Sequence, residues 1–351
     1  MGVLSVFPSS EMKVVVAGCL LFCLLLWGGV GGQTESSVAQ HPPGSAGLLR
    51  QAGRDACPTS PPPSLPLTST PCGQSDFLGR MRGMGGGAAE ARIIGGQDAT
   101  SAEAPFMAYL EVNRSDGFTQ TCSGCIISDE YILTSARCIT SYYWDPADNG
   151  TVWVGSGDRT AGTPFLADAL VPHPDYDPYG RYSPQADNLA LVHLSTPLTF
   201  GPGIQPICYP ASDDLGTSVA GCDKKVYGWG SLDDGGAVQT RSLQRVDAEV
   251  TGRSADCSSF GDGRVVCVEM PAAYVDLNID SGDDGGPLVV RYGGLAFVAG
   301  MGGMPGRGHL YVYGRTSRNA DWIQSVMNGA YAPSGGANAP PAPPPTSLLR
   351  H

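Results

Sequence analysis

The sequence predicts an all-β fold, a barrel or a sandwich, finished by one C-terminal helix. Three observations lead there. Short apolar segments recur along the middle of the chain. Gly (49) and Pro (29) supply 78 of 351 residues, against a usual share of about 12%, so turn formers separate those segments. Helical periodicity shows at one place only, near the C-terminus.

In chain order the strand-like segments are FMAYLEV (106–112), YILTSA (131–136), TVWVG (151–155), LALVHL (189–194), LQRVDAEV (243–250) and VVCVEM (265–270). Gly293-Gly294 parts PLVVRY from LAFVAG, which predicts a hairpin with a tight two-residue turn. Asn319 is placed to cap a helix whose Trp322, Ile323 and Val326 share one face.

The two ends have other compositions. Val14 to Val30 is an apolar run of 17 residues behind Lys13, and Val30-Gly31-Gly32 suits signal-peptidase cleavage, so residues 1–32 are expected to be a signal peptide. An uncleaved anchor is the alternative, although the run is short for a span of about 20 residues. Residues 33–92 have no sustained hydrophobic period and are expected to be a disordered Pro/Gly/Ser-rich prosegment. Residues 332–351 are expected to be a disordered Pro-rich tail. That leaves 93–331 as the folded domain.

The formal net charge is −12. Seven of the 21 Lys and Arg and five of the 33 Asp and Glu lie outside 93–331, so the domain alone carries −14. Such a surface excludes a phosphate backbone as partner and offers no polybasic membrane patch. It predicts a basic protein partner, steered by charge. Eleven cysteines point to an oxidising compartment, so the chain is expected to be extracellular.

Six landmarks in fixed order carry a resemblance. They are Arg92-Ile93-Ile94-Gly95-Gly96, the segment Cys122 to Cys138, Asp187-Asn188-Leu189-Ala190-Leu191-Val192, Tyr227-Gly228-Trp229-Gly230, Gly282-Asp283-Asp284-Gly285-Gly286-Pro287, and Asp321-Trp322-Ile323. Together they resemble the chymotrypsin-like (trypsin-type, peptidase S1) serine proteases over the whole of 93–331. The resemblance implies two six-stranded antiparallel β-barrels with the active cleft between them and a C-terminal α-helix.

The chemistry of that family needs a hydroxyl nucleophile, an imidazole base and a buried carboxylate that fixes the imidazole tautomer. The resemblance places Arg137 at the base, in Thr134-Ser135-Ala136-Arg137-Cys138. A guanidinium with a pKa above about 12 accepts no proton at neutral pH. Asn188 stands at the carboxylate position, and its neighbour Asp187 faces the other side of an extended strand. Asp284 stands at the nucleophile. No catalytic residue is therefore expected, and Arg137 is expected to meet Asp284 in a bidentate ion pair across the cleft, with Asn188 behind it; the alternative is that both point into solvent. Neither His173 nor His193 is placed to act as a substitute base.

The activation elements are expected to persist. Cleavage after Arg92 by a trypsin-like protease would free the amino group of Ile93 to pair with Asp283. Ala299-Gly300-Met301 takes the place of the family's pocket wall, and the pocket floor falls at Asn278 or Asp280. By resemblance Cys122 pairs with Cys138 and Cys257 with Cys267. Cys208 sits where the family tethers its prosegment, with Cys57 or Cys72 as partner. The usual partner position of Cys222 is Val290, so that bridge is expected to be broken. Cys125 is extra, and with nine cysteines left after signal removal one thiol is free or bridges two chains. The Cys122-Ser123-Gly124-Cys125 spacing follows from this disulfide pattern; neither metal nor cofactor is expected. Asn113-Arg114-Ser115 and Asn149-Gly150-Thr151 are glycosylation sequons, expected in loops.

The resulting expectation is a secreted, non-catalytic protease homologue that binds protein, as cascade cofactor, adhesion factor or decoy. An inhibitor of a secreted hydrolase, similar to the oomycete glucanase inhibitor proteins, is one alternative. A serine-type endopeptidase with an unrecognised site is the other.

Overall fold

The computed structural model describes residues 57, 64–65, 71–75, 97–114, 117–140, 147, 149–177, 186–211, 222–230, 240–250, 263–269, 284–305 and 310–330. All of them belong to one compact unit, which begins at Gly53. Six strands close into a barrel: β3 (Met107–Asn113), β4 (Thr119–Ile126), β5 (Tyr131–Thr134), β8 (Ala190–Leu194), β7 (Thr163–Pro172) and β6 (Asn149–Val154), in that spatial order. All pairings are antiparallel.

Several of these strands are buried on both faces, which is why they read as continuous apolar runs. Along β3, Ala108, Leu110 and Val112 point into the barrel, while Met107 and Tyr109 join the core between the two halves of the molecule. The same alternation divides β5 (Ile132 inward; Tyr131 and Leu133 outward) and β8 (Ala190, Val192 and Leu194 inward; Leu191 outward).

The second half is a sheet of eight strands. Its order is β12 (Glu249–Val250), β13 (Val265–Glu269), β16 (Leu310–Arg315), β15 (Leu295–Pro305), β14 (Pro287–Tyr292), β10 (Lys224–Gly228), β11 (Gln244–Asp247) and β2 (Gln97–Asp98). Among the described residues its outer strands are not joined, whereas the first barrel is closed. The hairpin between β14 and β15 turns at Gly293 and Gly294, both at positive φ, as the Gly-Gly signal predicts.

The halves are pinned at one turn. Leu243 N donates to the Gly157 carbonyl at 2.6 Å and Arg159 N to that of Arg241 at 3.1 Å. Trp229 Nε1 donates to Gly157 O at 3.0 Å, and Arg159 Nε to Thr240 O at 3.0 Å. Beneath lies an aromatic stack, with Tyr109 edge-on to Trp229 at 5.8 Å and Phe106 edge-on to Tyr227 at 5.8 Å.

Four expectations change. Part of the segment read as disordered prosegment belongs to the fold: β1 (Ser64–Leu65) pairs with β9 (Tyr209–Pro210), Cys57 bridges Cys222, and Cys72 bridges Cys208. Gly73 lies so close to Ala296 and the Cys208 sulfur that a Cβ would fall within 3 Å of each. Cys222 is therefore bridged: the strap takes the role that Val290 cannot, and Cys57 Sγ lies 3.4 Å from the carbonyl of Arg291, the next residue. Asn113 and Asn149 end strands instead of lying in loops. The terminal helix α2 (Ala320–Ser325) follows a 3₁₀ turn at Thr316–Asn319, so Asn319 Nδ2 donates back to Arg315 O at 2.9 Å and does not cap. Ile323 and Val326 are buried on one face as expected. Among the described residues no helix is long and apolar enough to cross a membrane; residues 1–32 lie outside them.

The Cys57–Cys222 bridge closes a separation of 165 residues. Its paired replacement by Ser is expected to lower stability by about 2–5 kcal/mol, read as a shifted urea midpoint. A trypsin cut after Arg80, Arg82 or Arg92 is expected to leave both fragments covalently joined, so that they separate on a denaturing gel only after reduction.

Candidate functional site

Three segments converge at one point between the halves. The first is the end of β5 with the short helix α1 (Ala136–Ile139). The second is the turn entering β8, the third the turn entering β14. Ser135 caps α1 by accepting from Cys138 N at 3.3 Å, and the Cys122–Cys138 disulfide ties the helix to β4. Asn188 is fully buried, and its Oδ1 accepts from Arg137 N at 3.0 Å. Asp284 reaches in from the other half, and its own carbonyl accepts from Ser123 N at 2.9 Å.

The Asp284 side chain is 7% exposed. Oδ1 accepts from Ser135 Oγ at 2.7 Å, and Oδ2 lies 3.3 Å from Arg137 Nε. The ion pair thus forms through one nitrogen and is not bidentate. Arg137 is 48% exposed, and its Nη1 rests 3.5 Å from the Met304 sulfur, a weak acceptor. Tyr176 is buried nearby; desolvation, followed by the Asp284 charge, raises its pKa and keeps the phenol protonated.

Two glycines let the segments close. Gly285, at φ 79°, has no room for a Cβ, which would overlap Thr134 Oγ1 and the Ser123 carbonyl. At Gly302 a Cβ would lie 2.8 Å from Asn188 Nδ2 and from Ser135 Cβ. Gly302, just beyond Ala299-Gly300-Met301 on β15, therefore lies against the site, and between Met301 and Met304 three steps of β15 face two of β16. A Cβ at Gly303 would overlap the Tyr313 ring, so β15 and its neighbouring strand lie in direct contact.

A family model described as Trypsin matches residues 93–323. The chain belongs to the trypsin family. Transmembrane protease serine 9 of Rattus norvegicus is 31% identical over 264 residues, 71% of this chain but 23% of its own length. Serine protease ea of Drosophila melanogaster is 28% identical over 307 residues, 77% of this chain and 74% of its own. The chain thus spans about a quarter of the first relative. The solved HL collagenase structure superposes with a TM-score of 0.56 at 22% identity, covering 67% of this chain and 99% of that one, which bears on the fold alone.

Within this trypsin-family frame the residues expected at base, carboxylate and nucleophile positions, Arg137, Asn188 and Asp284, are brought together. Asp187 turns away and pairs with Arg264 at 2.9 Å. Ser135 and Met304 were not among the expected site residues; Ser135 was readable as an N-cap ahead of an apolar turn. His193 packs on Tyr131 at 4.9 Å and meets Asp168 at 2.5 Å. His173 packs on Trp322 at 4.7 Å. Cys267 is disulfide-bonded, Cys125 is a buried free thiol, and Cys257, Arg92, Ile93 and Asp283 lie outside the described residues.

A double-mutant cycle on Arg137→Ala and Asp284→Ala is expected to give a coupling of about 1–2 kcal/mol, between exposed and buried pairs because only one partner is buried. His173 is held neutral: burial lowers its pKa from 6.5 to about 4, and Asp175 N donates to Nδ1 at 3.2 Å. The unfolded chain takes up this proton near pH 6.5 and the folded one only near 4, so stability should fall as pH drops through that window. Proton NMR of the His173 ring should show no titration between pH 8 and 5.

Proposed function

We propose that this trypsin-family chain is a secreted, non-catalytic homologue that acts by binding another protein, as cascade cofactor, adhesion factor or decoy. The observation that carries the reading is the Arg137–Asp284 contact. The nucleophile position offers a carboxylate already committed to Ser135 and Arg137, and the base position a cation with no lone pair to accept a proton. Asn188, accepting from Arg137 N, has no imidazole to orient.

Export is supported by the apolar segment within 1–32 and by three described disulfides, which persist in oxidising compartments. The domain charge of −14 favours a basic partner surface. Cleavage after Arg92, with Ile93 pairing to Asp283, would be the step that sets the binding surface.

The names of the curated relatives describe serine proteases, and the endopeptidase reading rests on those names. An active-site fluorophosphonate probe separates the two. The Arg92-cleaved chain is expected to stay unlabelled and to turn over no peptide ester. Asp284→Ser alone should remain equally inert, because Arg137 is still no base. Labelling of either form would overturn the proposal. Affinity capture with the Arg92-cleaved chain is expected to retain a basic protein more strongly than the uncleaved chain does.

A further inference from the structure

We infer that the two glycosylation sequons form a single site, with the glycan on Asn149 and Asn113 left bare as its brace. The inference rests on the export proposed above. Asn113 and Asn149 are direct cross-strand partners at the end of the β3–β6 ladder, and both are exposed. Antiparallel partners have Cβ atoms only about 4.5–5.5 Å apart, less than the width of one sugar ring. Two glycans cannot both rise from that pair with the ladder closed.

The hydrogen bonds choose between them. Asn113 Nδ2 donates to Asn149 Oδ1 at 2.6 Å, and Asn113 Oδ1 accepts from Thr119 Oγ1 at 3.0 Å. The Asn113 amide thus links β6, β3 and β4, and the nitrogen that would carry a sugar faces Asn149. At Asn149 the oxygen is used and the nitrogen is not engaged by either contact. Glycosylation of Asn149 forms a bond from Nδ2 to C1 of the sugar. It breaks the C1–O bond of a polyprenyl-diphosphate-linked oligosaccharide, and the diphosphate leaves as the amide gives up one proton. Asn149 Oδ1 remains an acceptor, so every bond of the brace survives. The same transfer to Asn113 replaces a hydrogen of the nitrogen that holds the brace and sets the sugar against Asn149.

The transfer acts on the chain before it folds, so the geometry selects which products reach the medium. The test is secretion of the full chain from insect cells behind a heterologous leader. Glycosidase removal in heavy-oxygen water then marks each occupied Asn as Asp for peptide mapping. The expected result is one glycan per secreted molecule, on Asn149. Ser115→Ala, which cancels the first sequon and leaves Asn113 in place, should not change the number of glycans; Asn149→Gln or Thr151→Ala should remove one glycan. Two glycans on a molecule, a glycan mapped to Asn113, or a secreted chain with none would each overturn the inference. Retention of the chain in cells behind its own leader would instead speak against export.

Discussion

The cleft depends on the carboxylate of Asp284. A charge with so little solvent access must be compensated in place, since water no longer does it. Ser135 gives it a charge-assisted hydrogen bond and Arg137 gives it a countercharge. Both donors sit at the start of the four-residue helix α1, and Ser135 is also its cap. The helix that presents Arg137 is therefore held by the same hydroxyl that holds the carboxylate. Gly285 is fixed by this approach: any side chain there would push β14 away from Thr134 and Ser123 and take Asp284 out of reach.

The convergence also needs two halves that do not slide. The turn at residues 157–159 supplies that, by three hydrogen bonds to the strand entry at 240–243 and one from Trp229, over an aromatic stack. On the far side of the second sheet the strap at 57–75 works differently, through covalent bonds. Cys57 reaches Cys222, and Cys72 reaches Cys208, so residues ahead of Arg92 hold strands on both sides of β14 and β15.

Much of this was legible in the sequence. Strands buried on two faces announced themselves as apolar runs, and Gly293-Gly294 announced its hairpin. The strands that stayed hidden have physical reasons. β4, TQTCSGCI, carries Gly124 because a Cβ there would lie 3.0 Å from Ile132 and Leu110, which erases the apolar pattern. β7 lies at the exposed side of the barrel and alternates only weakly. At the site, the order of motifs was enough to bring Arg137, Asn188 and Asp284 together. It was not enough to show that the pair meets through Nε or that Ser135 holds the other carboxylate oxygen. The irregularity of β15 between Met301 and Met304 stayed hidden because a strand irregularity has no residue signature of its own. The Cys57–Cys222 bridge was hidden because both ends pair across the fold, in a segment whose composition gives no sign of order.

On the proposed reading, the substitutions in the cleft support one another. Arg137→His alone would set an imidazole beside a carboxylate that Ser135 already holds, with Asn188 offering an amide where a charge is needed to orient the ring. Asn188→Asp alone would place a second buried anion behind Asp284 and lengthen the charge imbalance on one side of Arg137. Neither of these single steps assembles the hydroxyl, imidazole and carboxylate that the family's chemistry needs together. The ion pair, braced by the cap hydroxyl of Ser135 and closely approached by Gly285 and Gly302, leaves the Arg137 guanidinium half-exposed.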